Sequence, residues 1–127
     1  MKKILLGFIA IGLLTFVGLG FTPQSQTLKI GDKAHGGIVA YIDDTEEHGL
    51  VCALQDIGEY PWDVSKKKCA EYLFMGKSDW YLPSKYELNI LHENLHSKGL
   101  GNFDGNGYWS SDSGSDGNAW GQYFWKS

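Results

Sequence analysis

Arginine is missing from all 127 residues, so each of the 11 basic side chains is a lysine. The guanidinium fork is the preferred tool for bidentate recognition of phosphate and sulfate, and its absence argues against sulfated glycans as ligands. With 15 acidic residues and a formal net charge of −4, the chain also lacks the basic face that nucleic-acid binding needs. Lys66-Lys67-Lys68 is a local basic run and reads as the solvated start of a helix. Cysteine is scarce: Cys52 and Cys69 stand alone, with no Cys-x-x-Cys spacing for a two-cysteine zinc site. No internal repeat is evident.

An apolar run long enough to cross a bilayer is also lacking. Ile4 to Leu19 is the longest, about 16 residues against the roughly 20 a spanning helix needs. It follows a basic start, Met1-Lys2-Lys3, and ends in Gly18-Leu19-Gly20, small residues of the kind a signal peptidase reads. Residues 1–20 are therefore expected to be a cleaved signal peptide, with a retained anchor as the alternative. No cysteine stands at the cleavage region, which argues against a lipoprotein. The product is expected to be secreted, periplasmic or on the cell surface. Losing Lys2 and Lys3 leaves nine lysines against 15 acidic residues, a net charge near −6.

Residues 21–27 read as a polar linker and 28–127 as one small domain, only marginally stable unaided. Five tryptophans, Trp62, Trp80, Trp109, Trp120 and Trp125, supply large areas to bury. In an oxidising compartment Cys52 and Cys69 are expected to form a disulfide, worth on the order of 3 kcal/mol for a loop of this size; two buried thiols are the alternative. Hydrophobic periodicity predicts strands at 36–42 and 50–54, joined as a hairpin. An irregular segment carrying Trp62 follows. A helix is predicted from Ser65 to Met75, with Cys69, Tyr72 and Leu73 inward, and a second from Ser84 to Lys98, stopped by Gly99. Strands are predicted at 108–111 and 118–125. The fold class is α+β.

The most informative stretch is Asp79-Trp80-Tyr81-Leu82-Pro83-Ser84-Lys85-Tyr86-Glu87-Leu88. Trp80, Tyr81 and Leu82 alternate as in a strand, Pro83 ends it, and Ser84 with Glu87 fits a helix capping box. Tyr108-Trp109-Ser110-Ser111 and Ala119-Trp120 follow. In this order the three landmarks resemble the Lcl C-terminal domain family, the C-terminal domain of bacterial collagen-like adhesins, over roughly Leu28 to Trp125. The resemblance implies a C-type-lectin-like mixed sheet with two flanking helices. It also implies adhesin-type recognition without catalysis. Relatives continue into a further strand ending Val-Arg-x-Val, whereas this chain stops at Phe124-Trp125-Lys126-Ser127. The Trp120 strand is accordingly expected to be an open edge with Tyr123, Phe124 and Trp125 exposed, suited to self-association or to pairing as an accessory domain with a larger partner.

One motif points to catalysis. His92-Glu93-Asn94-Leu95-His96 matches the helical zincin pattern, two imidazoles one turn apart with a glutamate as general base. Gly99 extends the match, but Asn102 stands where a third ligand belongs, and no methionine follows Met75. A minimal zinc hydrolase is the alternative function. The competing reading makes Leu88, Leu91 and Leu95 a core stripe, with His92 on its shoulder and His96 nearer solvent. His35 and His48 read as turn or surface residues. The oxygen-rich set Asp104, Asn106, Asp112, Asp116 and Asn118 could hold calcium, but it lacks EF-hand spacing and reads first as turn chemistry. With Tyr108 nearby, this set is the candidate ligand-binding surface, on loops 101–107 and 112–117. Trp109 and Trp120 are expected in the core. No cofactor is expected, zinc or calcium being the alternatives. The function expected is an exported, non-enzymatic module that binds a surface glycan or protein.

Overall fold

In the computed structural model, residues 6–10 are described as backbone and residues 27–125 in full. The proposed signal and linker fall mostly outside the described residues, as do Lys126 and Ser127. The fold is α+β, with two helices and two antiparallel sheets. A five-stranded sheet has the order β2-β3-β4-β1-β5, where β1 is Leu6–Ala10, β2 Lys33–Ala34, β3 Gly37–Ile42, β4 His48–Ala53 and β5 Trp80–Tyr81. A separate hairpin joins β6, Gly107–Ser113, to β7, Ala119–Tyr123.

The predicted hairpin of residues 36–54 is β3 and β4, in register from Gly37↔Ala53 to Ile42↔Gly49 with a bulge between Val39 and Tyr41. Gly37 has to be glycine, because a Cβ there would sit 2.2 Å from the Cys52 carbonyl oxygen. Alternation along β4 divides its side chains between two cores. Leu50 and Cys52 join Ile38, Leu88, Leu91, Leu95, Tyr108 and Phe124. Val51 and Ala53 join Cys69, Trp80 and Leu82 in the other core.

That alternation overturns the expected disulfide. Cys52 and Cys69 are both buried and no bond joins them. Neighbours in β4 point to opposite faces, so Val51 and Ala53 meet the Cys69 core while Cys52 faces the α2 side. Burial, with Asp56 nearby, pushes the Cys52 thiol far above its ordinary pKa.

The first helix also differs from expectation. α1 spans Trp62–Ala70 rather than Ser65–Met75, so Trp62 opens a helix instead of lying in an irregular segment. Pro61 sits at the N-cap, where its fixed φ and missing N–H do no harm. Ser65 lies inside the first turn, fully buried, its amide already bonded to the Pro61 carbonyl at 2.8 Å. The chain leaves the helix at Glu71, so Cys69 is inward but Leu73 is exposed.

The second helix matches its start signal. α2 spans Lys85–Asn94 behind a complete capping box: the Ser84 hydroxyl accepts from the Glu87 amide, and the Glu87 carboxylate accepts from the Ser84 amide. Glu87 also accepts from the Tyr81 hydroxyl at 2.6 Å, fixing the end of β5 to the first turn. The helix then tightens to a 3₁₀ turn, His96–Lys98, closed by Gly99 in the left-handed conformation at φ 69°. Leu88, Leu91 and Leu95 are fully buried, as the stripe predicts.

Candidate functional site

The His-Glu-x-x-His segment lies where α2 becomes the 3₁₀ turn, and its residues are spoken for one by one. The His92 ring meets the buried Phe124 edge-on, with centroids 5.1 Å apart. The Glu93 carboxylate accepts from the Asn89 amide at 2.9 Å. Asn94 donates to the Ala40 carbonyl at 2.9 Å, satisfying the residue at the β3 bulge. Leu95 is core. The His96 Nε2 lies 2.9 Å from the Trp125 carbonyl oxygen, and its ring packs on Phe103 and Phe124. The imidazoles are 5.1 Å apart, centroid to centroid. Among the described residues no three His, Cys, Asp or Glu side chains converge as a metal-holding group.

Phe124 organises this end of the molecule. It is fully buried, contrary to the exposure expected for the end of β7, and touches the rings of His92, His96, Phe103 and Tyr108 at 4.9–5.2 Å. Its amide donates to the Asn106 carbonyl at 3.0 Å. The residues on either side point outward, and their rings lie parallel at 4.7 Å and 10°: Tyr123 is half exposed and Trp125 is 68% exposed. Trp125 forms one wall of an open cleft of about 470 Å³, with His92, His96, Leu100, Gly101 and Phe103 lining the rest.

The six expected ligand contacts are not brought together. Tyr108 is fully buried, with its hydroxyl 3.3 Å from the Asp56 carboxylate and 3.4 Å from that of Asp104; burial, then Asp56, drives its pKa far upward. Asp104 and Asn106 are exposed in the loop beside the cleft, joined by a turn bond of 3.2 Å. Asp112 instead accepts from the Lys85 amide at 2.7 Å, adding a carboxylate to the start of α2. Asp116 and Asn118 bond to each other in the β6–β7 turn, and these bonds hold the Asp116 carboxyl below its ordinary range. Gly107↔Tyr123 pairs at one end of the hairpin and Ser113↔Ala119 at the other. A bulge in β6 puts six residue steps there against four on β7, so the two ends lie roughly 13 Å apart. Loops 101–107 and 112–117 thus belong to opposite ends of the hairpin.

Sequence reasoning placed Trp109 and Trp120 in the core. Trp109 is partly buried and donates its indole N–H to the Tyr60 carbonyl at 3.1 Å, whereas Trp120 is 37% exposed on the hairpin. It also missed the cleft. The available signal was the alternation of Tyr123, Phe124 and Trp125, which puts one aromatic inward between two outward ones. A second opening of about 460 Å³, lined by Gln55, Asp56, Tyr60, Lys68, Glu71 and Tyr72, is polar and mixed in charge.

Comparison with known proteins finds no matching family model, no similar curated protein and no similar solved structure.

Proposed function

We propose that this chain is an exported, non-catalytic binding module, built on the C-type-lectin-like plan of the Lcl C-terminal domain family, that recognises a surface glycan or protein. The supporting observation is the exposed Trp125, which walls the aromatic cleft and stacks in parallel on exposed Tyr123. Flat apolar faces held in water invite a partner, and sugar rings present matching C–H faces. The adjoining loop adds the polar groups of Asp104 and Asn106, which orient a ligand. Absence of arginine favours neutral or weakly acidic ligands over sulfated ones. The zincin-like segment serves as a clamp: His92 and His96 hold the end of the hairpin on α2, and Glu93 does no chemistry. A glycan array tests this reading. Binding is expected, and Trp125→Ala should weaken it at least tenfold, about 1.4 kcal/mol. Silence across neutral and acidic sugars would leave the glycan reading without support.

One observation favours a second reading, in which the module pairs with a larger protein or with itself. Among the described residues β7 pairs with no strand but β6, and Trp120 and Tyr123 are exposed along it. Open edges template further strands. A solution mass equal to one chain, with amides of β7 exchanging as free edges do, would set this reading aside.

A further inference from the structure

The centre of the larger sheet is discontinuous in sequence. β4 and β5 do not pair with each other; both pair with β1. Leu6–Ala10 runs antiparallel to β4 over five residues, from Leu6↔Cys52 to Ala10↔His48. On its other side it runs antiparallel to β5, through Leu6↔Tyr81 and Gly7↔Trp80. The flanking strands are well seated: Val51 is fully buried and Trp80 nearly so. Trp80 is pinned by its indole N–H to the Lys77 carbonyl at 3.1 Å, and Tyr81 by its hydroxyl to Glu87. Both walls of the slot therefore have anchors that do not involve the strand between them. What they lack without that strand is main-chain pairing, which a buried backbone requires.

We infer that the gap between β4 and β5 is a strand-acceptor site. Leu6–Ala10 fills it in cis, and an extended, uncharged, proline-free segment of a partner protein fills it when residues 6–10 are removed. The occupant seen here states the chemistry: Leu-Gly-Phe-Ile-Ala has no charge, no proline and a length matched to the five pairs along β4. An acceptor with walls on both sides gives a donor main-chain pairing on both of its edges, five pairs along β4 and two more along β5, which strand addition to an open edge does not provide. The need for a partner in trans rests on the export reading, since those five residues lie in the expected signal; occupancy in cis does not.

The test uses the full chain with a specific protease site placed between Gly20 and Phe21. After cleavage the N-terminal fragment should remain bound through gel filtration. A labelled synthetic peptide covering residues 3–12 should replace it, while its Phe8→Pro version should bind at least about tenfold more weakly, because proline in a central strand removes a ladder donor. Amides of residues 49–52 should keep their hydrogen-exchange protection whenever wild-type peptide is present. Loss of the fragment with no peptide uptake overturns the acceptor site, whether those amides stay protected or exchange freely. Equal uptake of both peptides overturns it as well, since that is apolar adhesion. A doubled mass of the uncut chain, with 49–52 protected, assigns the donor to a second copy and overturns occupancy in cis. Bound fragment in the cut chain alongside a silent glycan array would uphold the site while the glycan reading fails.

Discussion

Phe124 carries more of this structure than its place near the end of the described chain suggests. Four rings pack on it, two of them the histidines that look like metal ligands in the sequence. Replacing it with alanine should cost about 3–5 kcal/mol in a denaturant titration, the usual range for a buried phenylalanine. A loss below about 1 kcal/mol would mean that the ring cluster does not hold the hairpin on α2. The thiols give a second check. Reductant should leave the melting temperature unchanged, and both cysteines should react with a thiol reagent only after unfolding, because both are buried and Cys52 resists ionisation. Tyr81 and Tyr108 give the third. Burial raises the pKa of both, Tyr81 further through Glu87 and Tyr108 further through Asp56. Above the unfolded tyrosine value near 10, the unfolded state sheds these protons while the folded state keeps them. The slope of stability with pH is then negative, so their contribution is complete below pH of about 10 and falls as pH rises past it. Tyr108→Phe should flatten that fall. Little of this was legible residue by residue. Alternation shows that Phe124 and its neighbours face opposite ways, but which side is inward depends on α2, some 30 positions earlier in the chain. The disulfide expectation failed for the same reason: spacing and compartment do not reveal which face of β4 a cysteine occupies.

At the scale of elements, the readable signals were those with a local mechanism. The capping box placed the start of α2, since two reciprocal hydrogen bonds within four residues need no help from the rest of the fold. Ser84→Ala should lower stability by about 1 kcal/mol, measured by thermal or chemical unfolding, while Ser84→Asp should be nearly neutral. Gly99 likewise marked where the helical segment stops. α1 was misplaced because Ser65 resembles a cap while Pro61 supplies the start; Ser65 is instead buried, its hydroxyl donating to the Tyr60 carbonyl. The zincin pattern likewise depends on packing that spacing does not show. Spacing of four puts two histidines on one side of a helix, yet here the helix tightens between them and each imidazole meets an aromatic of the hairpin. His96→Ala should therefore loosen the Trp125 end and lower stability by about 1 kcal/mol, a typical hydrogen-bond contribution, whereas Glu93→Gln should leave stability within about 0.5 kcal/mol.

For the whole molecule, class was readable and assembly was not. Periodicity gave an α+β domain, with β3, β4, β6 and β7 near their expected places. It gave no hint that a segment read as a leader pairs between β4 and β5, because pairing between residues so far apart in sequence, Ala10 with His48 and Leu6 with Cys52, leaves no local trace. Nor did it show that the two polar loops lie at opposite ends of the hairpin, which moves the candidate site from a loop cluster to the aromatic cleft beside one of them. Among the described residues no helix is long and apolar enough to cross a membrane. Contact between a ligand and that cleft is visible in the indole N–H resonances. Trp62, Trp80 and Trp109 donate theirs to the Ser110, Lys77 and Tyr60 carbonyls inside the fold, while Trp125 stands in solvent on the cleft wall. Titrated with the sugar that binds best on the array, the Trp125 signal should shift and saturate while those three stay in place. Movement of the three anchored indoles with Trp125 unchanged would mean that the ligand is not held at the cleft.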